Sequence, residues 1–408
     1  MKLPSHALAI TGMGVYTSLG RGLEENWQKL IQGCSGVREI SRFPTQHLPT
    51  KIAATIAINS DCLTRARTLT HDVIEQALTQ SQLPLDLFAD SQVVIAIAPM
   101  MEVMWPERLA FSDPEYSDEF THAYENISCA EFSNSLNEKY HFSNVPLFVN
   151  TACASGAHAV QLAAEQIRMG HTPVAMAIGV DASVEAETVA RFSLLSTLST
   201  QNDHPTQASK PFSFNRDGFV LGEGAAALVL EDIDHAKARG AKILAYLTGC
   251  GDITDNFHRT RNNPTGEKIV ACMQKALDDA NTSITQVDYI NAHGTSTIEN
   301  DKMEGKAIQL LFGEHCKKLL VSSNKSMIGH TLSAAGAIEA VFSVLTLQEQ
   351  IVPPTINYHQ PDPDILLNVV PNEAVAACVN IVLSNSFGFG GQNVSLVFAK
   401  EHDDGISG

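Results

Sequence analysis

Short apolar runs of strand length alternate with stretches of helical periodicity along the chain, and that alternation restricts it to the α/β class. The runs include Val93–Ile97, Leu147–Val149, Val174–Ile178 and Ala225–Leu230. The clearest unit leads from Leu147–Val149 through Asn150-Thr-Ala-Cys153 into a helix. There Ala157, Val160, Ala164 and Ile167 keep helical spacing, Gly170 supplies a C-terminal stop, and the next strand begins at Val174.

A second stretch repeats this plan. Leu319–Val321 runs through Ser322-Ser-Asn-Lys-Ser-Met-Ile-Gly-His330 into a helical pattern from Ala334 to Leu347. Near Arg239-Gly240 a helix-like segment rich in Ala, Lys and Asp gives way to the strand-like Ile243–Leu247. At 408 residues the chain is long enough for two such units. The expected organisation is two related halves, residues 1–240 and 241–408.

Composition excludes several function classes. The 27 Lys plus Arg against 45 Asp plus Glu give a net charge of -18, which argues against a general nucleic-acid or anionic-membrane surface. The eight cysteines are scattered with no C-x-x-C pair, so neither a metal site nor a disulfide framework is expected, and a reducing, cytoplasmic compartment is. The first residues lack the pattern of a signal peptide, and no apolar run approaches membrane-spanning length.

Cys153 falls where a strand meets a helix, so helix N–H groups and the helix dipole are expected to favour its thiolate. Small neighbours, Ala152, Ala154 and Gly156, leave room for a bulky acyl group. His293 and His330 lie at ends of apolar runs beside glycine, where side chains tend to face a cavity. Together the three residues read as a Cys-His-His acyl-transfer site. Ile10-Thr-Gly-Met-Gly14 follows a strand but makes a poor dinucleotide fingerprint, because the third glycine is misplaced and no acid stands out about 20 residues on. The glycines of Asn385-Ser-Phe-Gly-Phe-Gly-Gly391 suit either a tight hairpin or close backbone approach to a ligand.

Five segments in order carry a resemblance to a known family. Thr151-Ala-Cys-Ala-Ser-Gly156, Lys210 to Ala225 with its Asp217-Gly-Phe-Val-Leu-Gly-Glu-Gly224, Asn291-Ala-His-Gly-Thr-Ser-Thr297, Asn324-Lys-Ser-Met-Ile-Gly-His330 and Asn385–Gly391 resemble the elongating β-ketoacyl-[acyl-carrier-protein] synthases. The resemblance implies a thiolase-like fold of two related halves, layered α/β/α/β/α. It also implies an acyltransferase that condenses an acyl group held on Cys153 with malonyl-acyl carrier protein, without a cofactor. Cys153 would accept the acyl group, and the N–H groups of Cys153 and Phe389 would form the oxyanion hole. His293 and His330 would stabilise the enolate left by decarboxylation, as neutral donors. Lys325 and Glu304 match positions that orient the site, with a structural ion pair as the plainer reading. Thr295 and Thr297 match pantetheine contacts, Phe389 a gating aromatic, and Phe192 and Phe387 further substrate contacts.

The same comparison sets expectations for partners. An acyl carrier protein is implied, with either a homodimer or a heterodimer containing a chain-length factor, the chain itself then being a pocket-shaping subunit in the alternative reading. Thiolases place a second cysteine in the C-terminal glycine loop, where this chain has Phe387 and Phe389. The chain departs from many relatives after Ile97, where Met100 and Met101 stand in place of a glycine-rich turn and are expected at the floor of the acyl tunnel. Ser193–Ser199 lacks an arginine found in some fatty-acid synthases, which leaves a polyketide or polyene pathway open. Arg65 and Arg67 are the candidate carrier-docking residues, against an ordinary solvated helix start.

Overall fold

A computed structural model describes residues 3–97, 129–261 and 263–400 of the chain. The first part runs β1 (Leu8–Thr17), α1 (Leu23–Ile31), α2 (Cys62–Ser81), β2 (Gln92–Ile97), β3 (Leu147–Val149), α3 (Ser155–Arg168), β4 (Val174–Asp181), α4 (Ala186–Leu194) and β5 (Gly224–Asp232). The second runs β6 (Ala245–Thr254), α5 (Glu267–Asp279), β7 (Tyr289–Asn291), α6 (Ile298–Phe312), β8 (Leu320–Ser322), α7 (Ala335–Glu349), β9 (Asn368–Val369), β10 (Ile381–Phe387) and β11 (Gln392–Ala399). Gly170, with φ 74°, ends the turn after α3 as its spacing predicts.

Among the described residues the strands join in a 12-stranded mixed sheet of order β9-β8-β7-β10-β11-β6-β1-β5-β4-β2-β3, with Gly20–Arg21 folded back on β1. Outward from the centre, β1-β5-β4-β2-β3 and β6-β11-β10-β7-β8 share one order. Each has two antiparallel pairings followed by two parallel ones. The two series meet where β1 and β6 pair antiparallel, Leu8 opposite Leu247, Ala9 opposite Tyr246 and Ile10 opposite Ala245.

Helices complete five layers. Apart from Glu339, Ser343 and Thr346, helix α7 is apolar on all its faces from Ala335 to Leu347 and is buried throughout that stretch, the pattern of a helix enclosed on every side. It packs with α3 in the middle layer, in a core that draws Val160, Ala164, Val341 and Leu345 together with Ile10, Leu228, Val382 and Leu396 of the sheet. The two helices touch backbone to backbone. A Cβ on Gly156 would lie 2.6 Å from Ala337 N, and one on Gly336 2.4 Å from Ala157 N. On the outer faces, α2 packs Leu69, Val73 and Ala77 on β2, β4 and β5, and α5 packs Ile269, Met273 and Ala276 on β7, β10 and β11.

Thr11-Gly-Met-Gly14 lies inside β1, not in a phosphate-binding turn. A Cβ on Gly12 or Gly14 would sit 2.3 Å from Ala77 O or 2.2 Å from Val73 O of α2. The second half repeats the device with Thr248-Gly-Cys-Gly251 in β6, where Gly249 and Gly251 would meet Ala276 O at 2.3 Å and Cys272 O at 2.4 Å of α5. In each half two glycines on one strand face let an outer helix lie directly on the sheet. Gly14→Ala and Gly251→Ala should each cost about 1–3 kcal/mol through overpacking, read as lower melting temperatures. Unchanged melting temperatures would show that the helices can shift freely.

Candidate active site

Cys153 is reached by a strained turn. Ala152 has φ 50°, a conformation that a residue with a Cβ adopts at a cost. Ser155 holds the turn: its hydroxyl accepts from Thr151 N–H at 2.8 Å and donates to Ala152 O at 2.6 Å. The thiol is buried, and the backbone N–H groups of Phe389 and of Cys153 itself point at Sγ. Burial pushes the thiol up to about 11, against those two N–H groups and the charge of Lys325. The expectation that helix N–H groups favour the thiolate is corrected: the two N–H groups come from the Phe389 loop and from Cys153 itself, and desolvation by burial outweighs them.

The histidines come from the second half. His293 follows β7, and its N–H and that of Gly294 donate to Glu304 Oε1 and Oε2 at 2.9 and 2.7 Å. Glu304, on α6, also accepts from Asn385 Nδ2 at 3.3 Å, and burial pushes its carboxyl up to about 7. His330 donates its N–H to Val220 O at 2.7 Å, and Leu332 N–H donates to His330 Nδ1 at 3.3 Å. That bond fixes the neutral ring with its hydrogen on Nε2. The two imidazoles stand 5.3 Å apart at 85°, with Phe219 against His330 and Phe387 against His293. Burial first, then the Lys325 charge, holds both well below the usual histidine range, and His330 lowers His293 further.

Lys325 does form a buried ion pair, but with Glu339 of α7 and not with Glu304. Both side chains are about 1% exposed, and burial pushes Glu339 up to about 7 despite its partner. Glu339 was missed by the sequence reading. Its signal was an acid standing alone in the apolar run Ala334 to Leu347.

One pocket gathers Cys153, His293, His330, Thr295, Thr297, Phe387 and Phe389. Thr295 and Thr297 hydroxyls are 2.8 Å apart, and Thr297 caps α6 by accepting from Asn300 N–H at 3.3 Å. The Asn385–Gly391 segment is both a hairpin connection and a wall, since a Cβ on Gly388 would lie 2.5 Å from Thr151 O. Phe192, expected as a substrate contact, is not in the pocket lining; it lies edge-on to Phe219 at 5.4 Å in the apolar cluster that includes Cys153. Thr197, Phe219, His258, Thr260, Arg261, Glu299 and Asn300 complete the pocket and were not anticipated. Met100 and Met101 lie outside the described residues.

The docking role expected of Arg65 is overturned. Its side chain is fully buried, paired with Glu185 at 2.6 Å and Glu223 at 3.2 Å, and donates to Ala182 O at 2.9 Å. Arg42 clasps both oxygens of Glu223 at 2.7 and 3.0 Å. Acids from distant segments turned an apparent surface pair into a core network, and Arg67 beside it is only partly exposed.

Two measurements test this picture. Alkylation of Cys153 by iodoacetamide should climb about tenfold per pH unit between pH 7 and 9, because a thiol near 11 is mostly protonated there. A plateau near pH 7 would contradict it. Glu339→Ala should cost about 3–5 kcal/mol by leaving the Lys325 charge buried and unpaired, seen as an early unfolding midpoint in urea.

Comparison with known proteins follows the same lines. Residues 5–236 match the beta-ketoacyl synthase N-terminal domain and residues 244–359 the C-terminal domain. The 3-oxoacyl-[acyl-carrier-protein] synthase 2 of Coxiella burnetii is 39% identical, over 97% of this chain and 99% of its own. Among solved structures, the AntDE:AntF complex of a type II PKS acyl-carrier protein with its ketosynthase aligns at TM-score 0.90 and 31% identity, over 97% of this chain and 99% of that one. The ishigamide ketosynthase/chain length factor aligns at 0.87 and 33%, with the same coverage. Matched in both halves and aligned end to end with such relatives, the chain belongs to the β-ketoacyl synthase family, condensing enzymes of thiolase-like fold.

Proposed function

We propose that the chain condenses an acyl group held on Cys153 with a malonyl unit delivered on an acyl carrier protein. The observation that carries this reading is the single pocket in which a thiol faced by two backbone N–H groups meets two neutral, buried imidazoles. The thiol sulfur attacks the incoming thioester carbonyl, the S–acyl bond forms, and the carrier thiol leaves. The N–H groups of Cys153 and Phe389 receive the oxyanion of that step. A malonyl thioester then takes the vacated arm position beside Thr295 and Thr297. Loss of carbon dioxide leaves an enolate whose oxygen meets N–H donors of His293 and His330, and its carbon attacks the acyl-cysteine. The product is a β-ketoacyl thioester two carbons longer, and Cys153 is released.

Neutral donors suit this work. An imidazolium would hold the malonyl carboxylate as an ion pair and oppose its departure, whereas a neutral N–H gains strength only as the enolate charge develops. Lys325, Glu339 and Glu304 are positioning residues here, and no cofactor enters any step. A relative named 3-oxoacyl-[acyl-carrier-protein] synthase 2 and a neighbour from a type II PKS both support a discrete-enzyme pathway, fatty-acid or polyketide and polyene.

Assembly belongs to the same proposal. Strand β3 ends the sheet among the described residues, with Leu147 40% and Val145 78% exposed, which supports association through that edge with a second copy or a related subunit. The intact Cys153, His293 and His330 favour a catalytic over a purely pocket-shaping role. Among the described residues no helix is long and apolar enough to cross a membrane. Eight cysteines scattered through the chain with no C-x-x-C pair support a cytoplasmic setting.

Cys153→Ala should abolish condensation of acyl- and malonyl-carrier substrates, with near wild-type product formation refuting the assignment. Cys153→Gln, a neutral stand-in for the acylated state, should still release carbon dioxide from malonyl-carrier protein. His293→Ala and His330→Ala should each slow that release by roughly two to three orders of magnitude, with a smaller effect on Cys153 acylation. Blocked acylation with intact decarboxylation in His330→Ala would make His330 the base for Cys153 instead.

A further inference from the structure

The pocket changes character between its depth and its mouth. Around Cys153 the walls are aromatic rings, threonines and neutral imidazoles, while one loop supplies His258, Thr260 and Arg261 to the rim. Thr260 N–H donates to His258 Nδ1 at 3.1 Å, and the Thr260 hydroxyl lies 3.3 Å from the same nitrogen. A neutral His258 ring therefore carries its hydrogen on Nε2, free for an outside acceptor. The loop is fixed at both ends. Asp255 accepts from Phe257 N–H at 3.0 Å and Asn263 N–H at 2.8 Å, and Gly390 N–H donates to Arg259 O at 2.7 Å, which ties the rim to the turn carrying Phe389.

Arg261 is the cation of this rim. It is exposed and makes no ion pair or hydrogen bond with any described residue; Glu299 lines the same pocket without pairing to it. In a chain of net charge -18, an anion approaching the mouth meets general repulsion, so a local unpaired guanidinium decides whether it can settle there. A thioester arriving on a phosphopantetheine arm brings one permanent anionic group besides its acyl load, the phosphate.

We propose that Arg261, with His258, binds the phosphate of the phosphopantetheine arm while the thioester lies at Cys153. The inference rests on the carrier-thioester reading above and adds what holds the outer end of the arm. A guanidinium offers paired N–H donors to phosphate oxygens, and the His258 Nε2–H adds a third from the same loop.

The test compares two small donors that bear the same acyl group and no carrier protein: acyl-phosphopantetheine and acyl-pantetheine, each as a series from acetyl to octanoyl. Acylation of Cys153 is followed by mass at low salt. The intact chain should favour the phosphorylated donor in kcat/KM, and Arg261→Ala should lose about tenfold of that preference while using acyl-pantetheine as before. Arg261→Lys should keep part of the preference. Arg259→Ala removes an equal charge from a neighbouring exposed side chain outside the pocket lining and should keep all of it. A preference absent from the intact chain, unchanged in Arg261→Ala, or lost equally in Arg259→Ala overturns the proposal. Failure of both donor series to acylate the intact chain overturns the acyl-transfer reading itself, and this one with it.

Discussion

One ammonium group without access to water sets the terms for everything around it. Lys325 is enclosed with Glu339, and a charge pair in so poorly polarisable a place acts on its neighbours far more strongly than it would at the surface. Burial already disfavours a second positive charge on His293 or His330, and the lysine adds to that bias, so the two rings stay donors. The same charge eases the Cys153 thiol toward ionisation without overcoming its desolvation. Such a pair is a weak source of stability, because removing both ions from water costs about as much as their attraction returns. Its value here is positional: it locks the turn leading to His330 onto the central helix α7.

Backbone strain marks the same places. Ala152, Ser296 and Leu332 have φ of 50°, 69° and 44°, beside Cys153, between Thr295 and Thr297, and just after His330. Such conformations persist where surrounding contacts over-determine them. The segment from Lys210 to Ala225 supplies many of those contacts. Lys210 N–H donates to Ser296 Oγ at 3.0 Å, and Arg216 donates to Thr297 O, Ile298 O and Asp362 at 3.1, 3.0 and 2.6 Å. Glu223, held by Arg42 and Arg65, anchors the stretch whose Val220 carbonyl receives His330 N–H. From this motif Phe219 lines the pocket, and the rest shapes the turns that carry the site.

Local patterns were legible in the sequence, and long-range pairings were not. Helix α3 announced itself by the spacing from Ala157 to Ile167 and by Gly170, and Cys153 by its position between strand and helix. The strand after the mid-chain glycine begins at Ala245, two residues beyond the apolar Ile243, although Leu244 N–H already donates to Ile10 O at 2.8 Å. Arg65 read as a surface cation since nothing nearby in sequence says that Glu185 and Glu223 will close over it. The elevated thiol was invisible for the same reason: helix N–H groups are a local feature, and burial is a property of the finished fold. Glu339 sat in plain view, but its meaning depended on knowing that α7 has no solvent side.

The register at the centre of the sheet has a further meaning. Taking Gly12 and Gly14 as counterparts of Gly249 and Gly251, the residues Leu8, Ala9 and Ile10 answer to Ala245, Tyr246 and Leu247. The observed pairs join Leu8 to the counterpart of Ile10, Ile10 to the counterpart of Leu8, and Ala9 to its own counterpart. That is the self-complementary contact of two subunits related by a two-fold axis, here passing between Ala9 and Tyr246 inside one polypeptide. Covalent joining releases such a pair from equivalence. A true homodimer would need every catalytic group twice, whereas this chain draws its thiol from one half and both imidazoles from the other, and builds a single asymmetric site on a symmetric frame.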